Sequence, residues 1–128
     1  MQIKFVSIPV ENQENALLFY TEKAGFRKMA DIPMGPYRWL TVVSPDGIDG
    51  VELVLEPMAF AAAKVYQQAL FAAGMPTTAF ITKDIEGEMK RLKANGVVFR
   101  GEPAAMGPIK TVLFEDTCGN LINLVQPV

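Results

Sequence analysis

The stretch Gly35-Pro36-Tyr37-Arg38-Trp39-Leu40-Thr41-Val42 returns 72 residues later as Gly107-Pro108-Ile109-Lys110-Thr111-Val112-Leu113-Phe114. In both copies a Gly-Pro turn is followed by a cation and then by an apolar run that reads as a strand. Working outward, three more features recur at nearly the same offset. Asn12 and Asp84 each open an amphipathic stretch, and Gly25 and Gly96 close them. Val51-Glu52-Leu53-Val54 matches Ile122-Asn123-Leu124-Val125. The offsets are 72, 71, 72 and 71 residues, which argues for a duplicated module, because a repeat at fixed spacing is the signature of one unit used twice.

Each module reads as βαβββ. A short β-type run (3–10, then 77–83) precedes a helix with an Asn or Asp N-cap and a closing glycine. Three strands follow, near 26–33, 37–44 and 50–56 in the first half and 97–102, 109–115 and 121–126 in the second. Module one is assigned to 1–57 and module two to 76–128. The Ala- and Gln-rich segment 58–75 reads as a connecting helix ended by Gly74 and Pro76, with a lid over a ligand as the alternative.

Strand side chains alternate between two faces. One face is purely apolar: Val6, Ile8, Val10, Leu40, Val42, Val51, Leu53 and Leu55, then Ala79, Ile81, Val112, Phe114, Ile122 and Leu124. It suits packing under the helices, because buried polar groups need partners. The other face mixes aromatics, hydroxyls, an amide and carboxylates: Phe5, Tyr37, Trp39, Thr41, Glu52, Val54 and Glu56, then Thr78, Phe80, Thr111 and Asn123. Apolar walls with a few polar groups are what a ligand cleft needs. Exposure to solvent or burial against a second subunit are the plainer readings.

The chain of 128 residues is half apolar and one-fifth charged, which suits one compact domain and excludes a disordered one. Twelve basic against fourteen acidic residues give a net charge of −2, and no basic stretch offers a grip on nucleic acid or an anionic membrane. No segment approaches a membrane span, and the start MQIKFVSIPVEN does not read as a signal peptide. The single cysteine, Cys118, cannot form an internal disulfide, and no base or cation stands near it in sequence to activate it. A cytoplasmic location is expected.

The ordered set Pro9-Val10-Glu11-Asn12, Ala16-Leu17-Leu18-Phe19-Tyr20, Gly25-Phe26, Arg38-Trp39-Leu40-Thr41-Val42, Val51-Glu52-Leu53-Val54, Arg91-Leu92-Lys93 with Gly96-Val97, and Asp116 with Gly119-Asn120-Leu121 resembles the vicinal oxygen chelate superfamily, the glyoxalase, bleomycin-resistance and dioxygenase group. The resemblance spans nearly the whole chain. It implies an α+β fold in which two βαβββ modules form a curved mixed sheet with a concave cleft. It also implies pairing into a homodimer, a small-molecule ligand, and four metal-ligand positions, two per module. Those positions fall here on Phe5, Glu52, Thr78 and Asn123.

Only Glu52 is a good ligand type among them. Phe5 carries no donor, Thr78 is poor, and Asn123 offers one neutral oxygen. The chain contains no histidine, which disfavours the iron site of ring-cleaving dioxygenases and the usual zinc or nickel sites of glyoxalase I, fosfomycin-modifying transferases or methylmalonyl-CoA epimerases. Glu56 lies about 13 Å of strand from Glu52, too far to share one ion. No cofactor and no metal site are therefore expected.

The functional candidates are Glu52 as a general base of raised pKa on a semi-apolar face, and Phe5, Tyr37, Trp39, Thr41, Val54, Thr78, Phe80, Thr111 and Asn123 as ligand contacts. Arg38 and Lys110 read as solvated rims, with capture of an anionic group the alternative. Three functions stay open: a metal-free protein that binds a planar or amphipathic molecule, an enzyme of lyase or isomerase type that uses Glu52 as general base or as a weak metal ligand, or a non-catalytic protein-association domain.

Overall fold

The computed structural model describes residues 1–128. Its elements follow the order βαβββ-α-βαβββ. They are β1 (Phe5–Val10), α1 (Gln13–Leu18), β2 (Arg27–Met34), β3 (Tyr37–Val43), β4 (Glu52–Pro57), α2 (Ala61–Ala72), β5 (Thr78–Ile81), α3 (Ile85–Ala94), β6 (Phe99–Met106), β7 (Ile109–Glu115) and β8 (Leu121–Pro127). There are two four-stranded mixed sheets, ordered β1-β4-β3-β2 and β5-β8-β7-β6. In each, the first strand runs parallel to the last and the remaining pairs are antiparallel. The chain divides into two compact units, Met1–Tyr66 and Gln67–Val128, each with its own sheet.

The helix caps read from the sequence form as expected. Asn12 accepts the N–H of Asn15, and Asp84 accepts that of Gly87, each satisfying a donor the first helical turn leaves free. The helix α1 does not run as an α-helix to Gly25. It continues as a π-helical turn, Phe19–Lys23, in which the Ala24 N–H reaches back to the Phe19 carbonyl. That wider turn sets Phe19 and Tyr20 side by side in the core, ring edge to ring face at 5.1 Å, with Tyr20 stacked on Phe26.

In the first unit Ile8, Val10, Leu40, Val42 and Leu55 are fully buried with Ala16, Phe19 and Tyr20. In the second, Val112, Phe114, Ile122 and Leu124 are buried with Ile85, Met89 and Leu92 of α3. Each such large side chain contributes about 1.5–3 kcal/mol. Val6 departs from the expected buried set and is 48% exposed. β1 is the outermost strand of its sheet, while α1 packs on β3 and β4.

The strand β5 requires a larger correction. Its register sets Thr78 opposite Ile122, Ala79 opposite Asn123, Phe80 opposite Leu124 and Ile81 opposite Val125. Residues paired across a ladder point to the same side of the sheet. Thr78 and Phe80 therefore share the helix-side face with Ile122 and Leu124, while Ala79 and Ile81 share the mixed face with Asn123 and Val125. The expected faces of this strand are exchanged. Counting back from the helix caps gives the observed parity, because Ile8 and Phe80 each lie four residues before their cap.

Candidate functional site

In module one, β4 carries three residues on the mixed face: Glu52, Val54 and Glu56. Each is met from a neighbouring strand. Thr41 of β3 donates its hydroxyl to Glu52 Oε1 at 2.7 Å, and Lys4 Nζ lies 2.9 Å from Oε2. Ser7 of β1 donates to Glu56 Oε1 at 3.1 Å. Thr41 and Ser7 both lie opposite Val54 in the ladders. Phe5 stands edge-on to Trp39, with ring centroids 5.2 Å apart and planes at 83°. Tyr37, at the start of β3, is exposed. The sequence-predicted residues Phe5, Trp39, Thr41, Glu52 and Val54 are thus brought together.

The electrostatics of Glu52 differ from the expectation. The residue is buried, but its carboxyl is held below the ordinary carboxylate range, not above it. The Thr41 hydroxyl is the main cause and Lys4 the next; together they outweigh the desolvation that pushes the other way. Lys4 was not foreseen as a partner. A single lysine near the chain start carries no spacing signal, and only its place one residue before Phe5, across the ladder from Glu52, brings it in.

In module two the mixed face includes Ala79 and Ile81, Thr111 and Leu113, and Asn123 and Val125. The Thr111 hydroxyl donates to the Asn123 side-chain oxygen. Arg100, opposite Leu113, and Glu115, opposite Leu121, lie on the same face as an ion pair, the Arg100 Nε and Nη2 both donating to Glu115 Oε1 at 3.0 and 2.7 Å. Thr78 and Phe80, expected here, lie on the other face, and Ala79 stands opposite Asn123 instead.

Arg38 and Lys110 are tied down. Arg38 makes a two-pronged bond to Asp31 at 2.6 and 2.9 Å and reaches Glu14 at 2.6 Å; Lys110 reaches Glu86 at 2.6 Å. The Arg38–Glu14 and Lys110–Glu86 pairs span the same 24 residues. Asp31 and Glu86 are held below their ordinary pKa, in each case chiefly by the hydrogen bond from the cation. Gln13 adds a second tie that the sequence reading missed. It donates to the Arg38 and Leu55 carbonyls and accepts the Arg38 N–H. These cations lock hairpins to helix starts and leave no open anion clamp.

A buried polar network supports the second unit. Asp116 accepts the N–H groups of Cys118 and Asn120 and the Asn120 amide, while Gln67 donates to the Cys118 carbonyl and to Asn120 Oδ1. Asp116, Asn120 and Gln67 are all buried, so this is a satisfied structural network that fixes the β7–β8 turn. Cys118 is buried within it.

The donors do not fit a transition metal of the kind the family's ligand positions hold. Phe5 has no lone pair, Glu52 is engaged by Lys4 and Thr41, Thr78 faces the helix side, and the Asn123 oxygen accepts from Thr111. No group of three or more His, Cys, Asp or Glu side chains stands close enough to hold an ion. No helix is long and apolar enough to cross a membrane.

Comparison with known proteins places this architecture. The profile of the Glyoxalase/Bleomycin resistance protein/Dioxygenase superfamily matches residues 2–124. The Bacillus subtilis (strain 168) protein YurT is 53% identical over 126 residues, covering 98% of this chain and 99% of its own. The crystal structure of UcmS2 superposes with a TM-score of 0.82 at 28% identity, covering 98% of this chain and 97% of its own. That of TnmS3, an antibiotic binding protein from Streptomyces sp. CB03234, superposes with a TM-score of 0.79 at 30% identity, covering all of this chain and 97% of its own. Two βαβββ modules, matched from end to end in sequence and in structure, make this chain a member of the Glyoxalase/Bleomycin resistance protein/Dioxygenase superfamily.

Proposed function

We propose that this protein binds a small planar or amphipathic molecule on its mixed sheet faces without a catalytic metal, and acts by holding or sequestering it. The observation that carries the reading is the content of the family's ligand positions. An aromatic ring, an ion-paired glutamate, a helix-side threonine and a bonded amide cannot form a transition-metal site, while aromatic and aliphatic side chains around a few fixed polar groups suit a ligand. The similarity to TnmS3, described as an antibiotic binding protein, supports the same class.

A catalytic role for Glu52 is the weaker reading. Its carboxylate is stabilised in the charged form, which makes it a poorer proton acceptor than a desolvated one. We take the working unit to be a homodimer, since Phe5 and Val6 on the outermost strand of the first sheet, and Ile3 just before it, are apolar and exposed; sedimentation equilibrium at micromolar protein is expected to give a dimer mass, and a monomer mass overturns the assignment.

The test of the function is a thermal-shift screen of planar and amphipathic compounds on chelator-treated protein. Binding raises the melting temperature in proportion to occupancy. The reading predicts hits among flat, partly apolar molecules with no change on adding Zn²⁺, Ni²⁺, Fe²⁺ or Mn²⁺. Hits that appear only after metal addition overturn it.

A further inference from the structure

We propose that Phe5 is a gate: its ring closes over the binding face of module one, and it must swing aside for a ligand to enter. The inference rests on the ligand-binding reading above and names how that face is opened.

Phe5 and Trp39 come from β1 and β3, the two strands that flank β4. The ladders set Phe5 opposite Glu52, and set both Ser7 and Thr41 opposite Val54. The two aromatic side chains therefore start on opposite sides of β4 and displaced in opposite directions along it from Val54. They meet at a centroid distance of 5.2 Å. Val54 points away from the helix-covered face, yet it is only 2% exposed. On the side of the sheet away from α1, burial of this degree requires side chains over the residue, and the Phe5–Trp39 pair is placed to contribute them.

A flat molecule that stacks on Trp39 or touches the Val54 floor must break this pair. Phe5 is the member able to move. It is 48% exposed and sits on a strand with a neighbour on one side only. Its other ring contact is the half-exposed Lys4 ammonium, 5.7 Å from the centroid, which Glu52 holds by an ion pair. Trp39 has strands on both sides and stays as the fixed platform. Breaking an edge-to-face pair reduces apparent affinity by the fraction of time the ring is open, so the gate weakens ligand binding about two- to tenfold.

Trp39 is the only tryptophan, so its emission reports on this place alone. The experiment compares wild type with Phe5→Ala and with Phe5→Leu, the latter keeping apolar bulk should the alanine variant fold poorly. In the free proteins, acrylamide quenching of Trp39 is expected to rise in both variants; equal quenching in all three overturns the gate. With proflavine as a flat probe, the variants are expected to bind about two- to tenfold tighter and with a faster association rate. Weaker proflavine binding in the variants overturns the gate while leaving the ligand-binding reading intact, because it makes Phe5 a clamp. Absence of proflavine binding in every protein, at concentrations up to millimolar, counts against the ligand-binding reading itself and takes the gate with it.

Discussion

Glu52 owes its charged state to Thr41 and Lys4, and this makes its behaviour with pH predictable. A carboxyl whose pKa is lowered on folding stabilises the protein above its ordinary value near 4.5, and the contribution is lost as pH falls through the lower folded value. Glu52→Gln is therefore expected to cost about 1 kcal/mol at pH 7, since Lys4 is half exposed and the pair is screened. The difference from wild type in urea melts should shrink below the ordinary carboxylate pKa; a gap that widens on acidification contradicts the assignment. Asp116 carries more. Asp116→Ala strands three buried donors and is expected to cost about 3 kcal/mol in the same melts. The sequence singled out Glu52 because a lone carboxylate on an otherwise apolar alternation stands out. Its partners were not legible, nor was the role of Gln67 or Gln13, because long-range hydrogen bonds leave no local spacing.

At the scale of the element, turns and helix starts were the most legible parts, since each has its own chemistry. Gly35 and Gly107 lie at the two hairpin tips with φ of 59° and 58°, a backbone region that costs other residues about 1–2 kcal/mol. Gly35→Ala and Gly107→Ala are expected to destabilise by about 1 kcal/mol each although nothing lies near the added methyl, so the effect is conformational and not steric. The strand β5 was read on the wrong face. Four residues that alternate Thr-Ala-Phe-Ile carry small, polar or apolar groups on both sides, so the pattern gives no parity; only the distance to the Asp84 cap does. The corrected register makes a distinction. Asn123→Ala should weaken ligand binding several-fold, whereas Thr78→Val, on the helix side, should leave it unchanged. Equal losses from both variants contradict the face assignment.

For the molecule as a whole, the repeat offset carried the fold: two copies of a Gly-Pro hairpin, two Asn/Asp caps and two terminal strands 71–72 residues apart are seen as two matching βαβββ units. The duplication reaches ion pairs, with Arg38–Glu14 and Lys110–Glu86 at one separation. The site was less legible, because only Glu52 among the family's four ligand positions carries a good metal donor and nothing local replaces that signal. The central claim is that this member binds its ligand with no metal. The most direct test titrates proflavine into chelator-treated protein, verified by elemental mass spectrometry to hold less than a tenth of an equivalent of transition metal, while Trp39 emission is followed. Saturable quenching, unchanged when Zn²⁺, Ni²⁺, Fe²⁺ or Mn²⁺ is restored, is the predicted result. Stoichiometric metal that survives the chelator, or quenching that appears only with metal present, contradicts it and returns the chain to the metal-dependent members of its superfamily.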